Sequence, residues 1–205
     1  MAKGHKDKVA VITGAANGIG QAFAKRLAED GVHVAVADLA DGKATVKMIE
    51  AAGRQALAVN CDVSSEASVA AMAREVQGKF SHVDIVVNCA GIFPQKNFPE
   101  MTFADWRKVL SINLDGTFLV TTAFVPGMRA RKWGRVLSMS SSVVREPGPV
   151  LVLSTAHRAG LLAGLKTIAK GGKTVICRLL VAVPASACTA ESANKPANRK
   201  KLMNL

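Results

Sequence analysis

Residues 9–20, Val9-Ala10-Val11-Ile12-Thr13-Gly14-Ala15-Ala16-Asn17-Gly18-Ile19-Gly20, decide the fold. Val9–Thr13 is apolar and β-branched, as a buried strand requires, and a helix expected over Ile19–Asp30 places Phe23 and Leu27 on one face. The three glycines between and within these elements have separate uses. Gly14 permits a tight turn, Gly18 lets the backbone approach a ligand with no Cβ in the way, and Gly20 lets the helix pack closely on the strand. A phosphate then lies at a helix N-terminus, where backbone N–H groups and the helix dipole favour negative charge. Strand, glycine-rich turn and helix in this order form the opening unit of a dinucleotide-binding domain.

The next strand, expected over Val32–Asp38, ends on a carboxylate 24 residues beyond Gly14. A carboxylate at that place accepts hydrogen bonds from the adenosine ribose hydroxyls and repels a 2′-phosphate. No basic residue lies in the turn before Gly18, and the nearest after Asp38 is Lys43. The expected cofactor is therefore NAD rather than NADP.

Further along, apolar β-branched runs alternate with helical periodicity, the mark of βαβ units and a parallel sheet. Strands are expected at Gln55–Asn60, Asp84–Asn88, Arg135–Ser140 and Thr174–Val183. Helices are expected at Lys43–Ala52, Ser65–Lys79, Phe103–Leu110, Gly116–Arg131 and Ser154–Lys170. The predicted architecture is α/β: a Rossmann-like, doubly wound parallel sheet with helices on both faces. Residues 1–189 form the NAD-binding domain, and 190–205 read as a basic, poorly ordered tail.

Composition narrows the function classes. Apolar residues make up 49% and charged residues 20%, a globular balance. The opening MAKGHKDK has no apolar segment or cleavage site of a signal peptide, and no uninterrupted apolar run approaches the roughly 18 residues that span a bilayer. Cys61, Cys89, Cys177 and Cys188 show no Cys-x-x-Cys spacing, so they are expected as reduced thiols in the cytoplasm with no metal site. The net charge of +12 is concentrated late, where residues 166–205 carry eight Lys or Arg against the single acid Glu191. That segment has no aromatics interleaved for base stacking, so a solvated tail is expected rather than a nucleic-acid surface.

The spacing Thr13-Gly14-x-x-x-Gly18-x-Gly20 resembles the short-chain dehydrogenase/reductase family, and other motifs agree. Asp62-Val63 resembles the family's adenine-contacting pair. Asn88-Cys89-Ala90-Gly91 resembles its Asn-Asn-Ala-Gly turn, with Cys89 departing from it. Asn113, in Ser111-Ile112-Asn113-Leu114, matches the asparagine that supports a proton-relay water. Gly134-Arg135-Val136 followed by Met139-Ser140-Ser141 matches the strand ending in the catalytic serine, Ser141. Val183-Pro184-Ala185 with Thr189 resembles the family's Pro-Gly turn and the threonine that contacts the nicotinamide amide. Within the family, KDKVAVITGAANGIG, NCDVS and AFVPGM with KWGR are similar to bacterial secondary-alcohol dehydrogenases of the phenylethanol type.

The resemblance implies hydride transfer between NAD and a secondary alcohol or ketone, carried by Asn113, Ser141, a tyrosine and a lysine four residues later. This chain contains no tyrosine. Aligning Ser154-Thr155-Ala156-His157-Arg158-Ala159-Gly160-Leu161 with the family motif puts Ser154 at the tyrosine and Arg158 at the lysine. A second register puts Leu153 and His157 there and loses the Ala-Gly-Leu match. The resemblance also implies a final strand and substrate-covering helices that the sequence does not contain, which removes one family interface from an expected homo-oligomer. Two functions follow as expectations: an impaired oxidoreductase, or a non-catalytic NAD-binding protein.

Overall fold

A computed structural model describes residues 4–94, 96–141, 156, 159–160 and 175–182. The elements run β1 (Val9–Thr13), α1 (Gly18–Glu29), β2 (His33–Asp38), α2 (Lys43–Ala51), β3 (Ala56–Asn60), α3 (Glu66–Phe80) and β4 (Ile85–Asn88). They continue with a 3-10 turn (Phe98–Glu100), α4 (Phe103–Leu110), a π-helical turn (Ser111–Asp115), α5 (Gly116–Ala130), β5 (Gly134–Ser141) and β6 (Val175–Ala182). The strands form one sheet in the order β3-β2-β1-β4-β5-β6. Every pairing is parallel, with Thr13 opposite Ala37 on one side and Asn88 on the other. This is the doubly wound Rossmann-like sheet that the alternating pattern predicts.

Alternation along the central strands divides the core in two. On one face Val9, Val11, Val86 and Val136 meet Met72, Val76 and Phe80 of α3 and Val120, Phe124 and Met128 of α5. On the other, Ala10, Ile12, Val34, Val36 and Val87 meet Ala24 and Ala28 of α1 and Ile49 of α2. β1 is buried at every position because helices cover both faces, which is why its sequence is a continuous apolar run.

Two departures from the sequence expectations are physical. α1 buries Gly20, Ala24 and Ala28 most deeply, while Phe23 and Leu27 flank them half-buried. Small residues are needed at that contact because the helix lies so close to the strands. The helices expected at 103–110 and 116–131 are one continuous stretch, joined by the π turn. At 28 residues, Phe103–Ala130 is also the one helix among the described residues long and apolar enough to cross a membrane. Its apolar residues Val120, Phe124 and Met128 belong to the core described above, which accounts for that composition. Of the helix expected at 154–170, positions 156, 159 and 160 are described and are helical. Ser154, Arg158, Pro184, Thr189, Cys188 and the tail at 190–205 lie outside the described residues.

Candidate active site at the carboxyl edge of the sheet

All the described strands deliver their last residues to one edge, and the expected site residues of the glycine-rich turn and of the ends of β2, β3 and β4 gather there. Gly14 has φ +65° and Gly18 φ +56°, both in the left-handed region that glycine enters without penalty. A Cβ on Gly14 would lie 2.7 Å from Cα of Ala90, so this turn and the one after β4 are in contact. Thr13 ties the same two turns together, its Oγ1 accepting from the N–H groups of Cys89 (3.1 Å) and Ala90 (3.2 Å). A Cβ on Gly20 would run into the carbonyl oxygen of Gly14 and lie 2.9 Å from the Ala15 Cα, so the glycine is required by the backbone of the turn itself rather than by the expected helix-on-strand packing. At Gly18 nothing lies within 4 Å of the Cβ position. That open side, next to the exposed Ile19 at the start of α1, leaves room for a phosphate. Asn17 occupies the N-cap without a side-chain capping bond.

Gly14, Asp38, Asp62, Val63, Ala90 and Gly91 line one cleft, so six of the sequence-predicted residues converge. Leu39, Cys61, Ile92 and Ile112 also line it and were not predicted. All four directly adjoin predicted residues, and for the first three the ends of parallel strands were the signal that would have found them. Asp38 accepts from the N–H of Ala16 through Oδ2 (2.8 Å) and from that of Ala40 through Oδ1 (3.0 Å). The N–H (2.9 Å) and Oγ (2.7 Å) of Ser64 donate to Asp62 Oδ1, and these bonds hold its carboxyl below the usual range. Burial pushes the Cys61 thiol up and the Cys89 thiol up to about 11, so both stay protonated near neutrality.

Two predicted residues point elsewhere than the cleft. Asn88 donates through Nδ2 to Thr121 Oγ1 (3.1 Å) on α5 and Ser138 Oγ (3.2 Å) on β5. Its buried Oδ1 has no hydrogen-bond partner among the described residues. Its side chain thus fastens β4 to its neighbours. Asn113, in the π turn, accepts from the Ile92 N–H (2.9 Å) and donates to the Ile92 carbonyl (2.9 Å). The wider turn brings its amide against the backbone after β4, and a Cβ on Gly91 would lie 3.1 Å from Asn113 Oδ1. Ser141 ends β5 three residues beyond the Asn88–Ser138 pair, opposite Ala182.

The family model described as short chain dehydrogenase matches residues 8–199. The chain belongs to the short-chain dehydrogenase family. It is 36% identical over 166 residues to a 3-oxoacyl-[acyl-carrier-protein] reductase from Aquifex aeolicus, covering 80% of this chain and 67% of that protein. With an acetoacetyl-CoA reductase from Synechocystis it shares 38% over 174 residues, 84% of this chain and 68% of the relative. With a galactitol 2-dehydrogenase from Agrobacterium fabrum it shares 34% over 164 residues, 80% of this chain and 64% of the relative. The chain thus spans about two thirds of the length of these relatives. A crystal structure of a dehydrogenase/reductase from Sinorhizobium meliloti superposes with a TM-score of 0.79 at 29% identity, covering 87% of this chain and 72% of that one. Members of the short-chain dehydrogenase family are oxidoreductases that use a nicotinamide cofactor, NAD or NADP. The open side of Gly18 and the cleft beside it are a cradle that fits such a group.

Proposed function

We propose that this short-chain dehydrogenase binds NAD in preference to NADP and acts, with impaired turnover, on a secondary alcohol or ketone. The observation that carries the preference is Asp38, a carboxylate in the cleft whose described lining includes no Lys or Arg. In this reading Gly14, Asn17, Gly18, Ile19 and Gly20 take the pyrophosphate, Asp38 the ribose, and Asp62 and Val63 the adenine. Ala90 and Gly91 pack beside the nucleotide, with Asn88 holding their strand in place. Arg158, Pro184 and Thr189 are assigned to the nicotinamide half. The thiol chemistry fits a reducing cytoplasm.

NAD supplies the hydride acceptor, and the protein has to orient the substrate and move a proton. Ser141 is assigned to the substrate oxygen and Asn113 to the relay. The proton step is where the sequence departs from its family. A phenol starts near pKa 10 and can be tuned towards neutrality, whereas the aliphatic hydroxyl of Ser154 starts far higher. Arg158 remains protonated above pKa of about 12, so it can hold ribose hydroxyls but cannot pass a proton. Losing a positioned acid/base slows turnover by about 10²–10⁴. The absence of tyrosine favours a second reading, a non-catalytic NAD-binding protein.

Titration with NADH and NADPH by fluorescence, then assay of aryl ketone reduction on the same sample, separates the readings. Binding of NADH with slow turnover is the expected result, and turnover lost on His157→Ala would identify a substitute base. Binding with no turnover leaves the non-catalytic reading, and no binding overturns both. Asp38→Ala should weaken NADH and relieve the exclusion of NADPH.

A further inference from the structure

Thr45 lies in the first turn of α2, outside the cleft, and its side chain is fully buried. It does not cap its own helix, which begins after Gly42 with no side-chain capping bond. Instead its hydroxyl donates across to the glycine-rich turn, 2.8 Å from the Ala15 carbonyl oxygen. Gln21 of α1 fixes that hydroxyl, its Nε2 donating to Thr45 Oγ1 (2.9 Å) and to the Ala16 carbonyl (3.1 Å). Thr45 Oγ1 is also 3.2 Å from the Ala16 carbonyl. Ala15 and Ala16 are buried, so neither carbonyl has water to fall back on.

The Ala15 carbonyl and the Ala16 N–H belong to the same peptide unit. That unit is planar and trans, so the direction of its C=O fixes the opposite direction of its N–H. One end accepts from Thr45, and the other donates to Asp38 Oδ2 at 2.8 Å. Thr45 and Asp38 are therefore joined through one rigid plate, 2.8 Å at each end, and the plate cannot turn without breaking both bonds.

We infer that Thr45, fixed by Gln21, is a positioning residue that sets the discrimination between NAD and NADP by aiming Asp38 through the Ala15–Ala16 peptide. The inference rests on the reading of Asp38 as the ribose-binding carboxylate. With the plate held, the carboxylate keeps its place in the cleft, ready for ribose hydroxyls and set against a 2′-phosphate. With the plate released, Asp38 loses the Ala16 anchor and can swing outward. NADH then loses its hydrogen bonds while NADPH loses its repulsion.

The test compares Thr45→Val, which keeps the volume and removes the hydroxyl, with Thr45→Ser, which keeps the hydroxyl. NADH and NADPH affinities are measured by fluorescence, with thermal melting alongside. Thr45→Val should weaken NADH by about tenfold, the scale of one lost hydrogen bond to a charged group, and lower the NADH-over-NADPH preference by about fivefold or more. Thr45→Ser should restore both. In an Asp38→Ala background, Thr45→Val should leave the preference unchanged, because the plate then has nothing to aim. A purely structural role for Thr45 would lower the melting temperature and weaken both nucleotides equally, and that outcome overturns the inference. If Thr45→Val does not fold, Gln21→Met, at a half-buried site, decides by the same ratio, and an unchanged preference overturns the inference. A wild-type protein without preference for NADH would instead overturn the NAD reading itself.

Discussion

The two edges of the sheet use charge in opposite ways. At the amino edge, acids meet cations. Asp84, almost fully buried, accepts from the Val9 N–H at 3.1 Å and faces the Lys8 ammonium at 3.8 Å. Asp7 pairs with Arg54, and Trp133 lies 4.6 Å from the cationic groups of both Lys8 and Arg135. At the carboxyl edge, Asp38 and Asp62 have no cation partner among the described residues and are held by N–H and hydroxyl donors instead. A carboxylate matched to a cation is neutralised and serves the fold. One held by neutral donors keeps its full charge for a ligand, or against one.

That contrast can be broken at either edge. Gly20→Ala should have the largest effect, because its Cβ would meet the Gly14 carbonyl oxygen at 2.1 Å and the Ala15 Cα at 2.9 Å, both backbone. A loss of about 3 kcal/mol or more is expected in urea unfolding, with loss of nucleotide binding. Asp84→Ala should follow at about 2–3 kcal/mol, since it leaves the buried Val9 N–H unpaired, and it should leave the NADH-over-NADPH ratio unchanged. A changed ratio would mean that the two edges are not separate in function. Asp62→Ala should cost about 1 kcal/mol in stability through the Ser64 bonds, with a larger fractional effect on nucleotide affinity.

The smallest effect concerns pH. His33 Nδ1 accepts from the Gln55 N–H at 3.0 Å while Nε2 faces Arg54 at 3.0 Å, and the ring stacks on Phe80. Burial, then the Arg54 charge, lower its pKa below the ordinary 6.5, against a smaller opposing effect of Asp7. A lowered folded pKa means that the unfolded chain takes up the proton first. Stability is thus full above about pH 6.5 and declines as pH falls towards the folded value. Melting temperature followed from pH 8 to 5 should show this limb in the wild type and lose it in His33→Gln. The amino edge would then carry the first acid sensitivity, because the lowered Asp62 carboxyl responds only below the ordinary carboxylate range.

The sequence disclosed elements whose ends are marked chemically and concealed those set by direction. Val9–Thr13 and Phe103–Leu110 match the structure residue for residue, the first closed by Gly14 and the second opened by the Thr102–Asp105 capping box. The cleft was legible because strand ends are where ligands bind in such sheets, and Asp38, Asp62 and Gly91 lie at or just beyond those ends. The inward turn of Asn88 was not legible, since an amide in a motif carries no sign of which way it points. Nor was the bridge from Thr45 to Ala15, which spans 30 residues and follows no period. The π turn escaped because periodicity marks two helical faces and is blind to one extra residue between them.

That turn lets the longest helix carry an extra residue without disturbing the faces on either side of it. Deleting one residue from 111–115 would restore regular winding with the phase of α5 relative to α4 nearly kept, because the wide turn carries its five residues through about the rotation that four make in an α-helix. The Val120–Phe124–Met128 row would keep its place against the sheet, and the loss would fall on Asn113, whose amide would leave the backbone of Ile92. The segment is a local widening, and what its extra residue serves is the reach of one amide to the backbone beside the cleft.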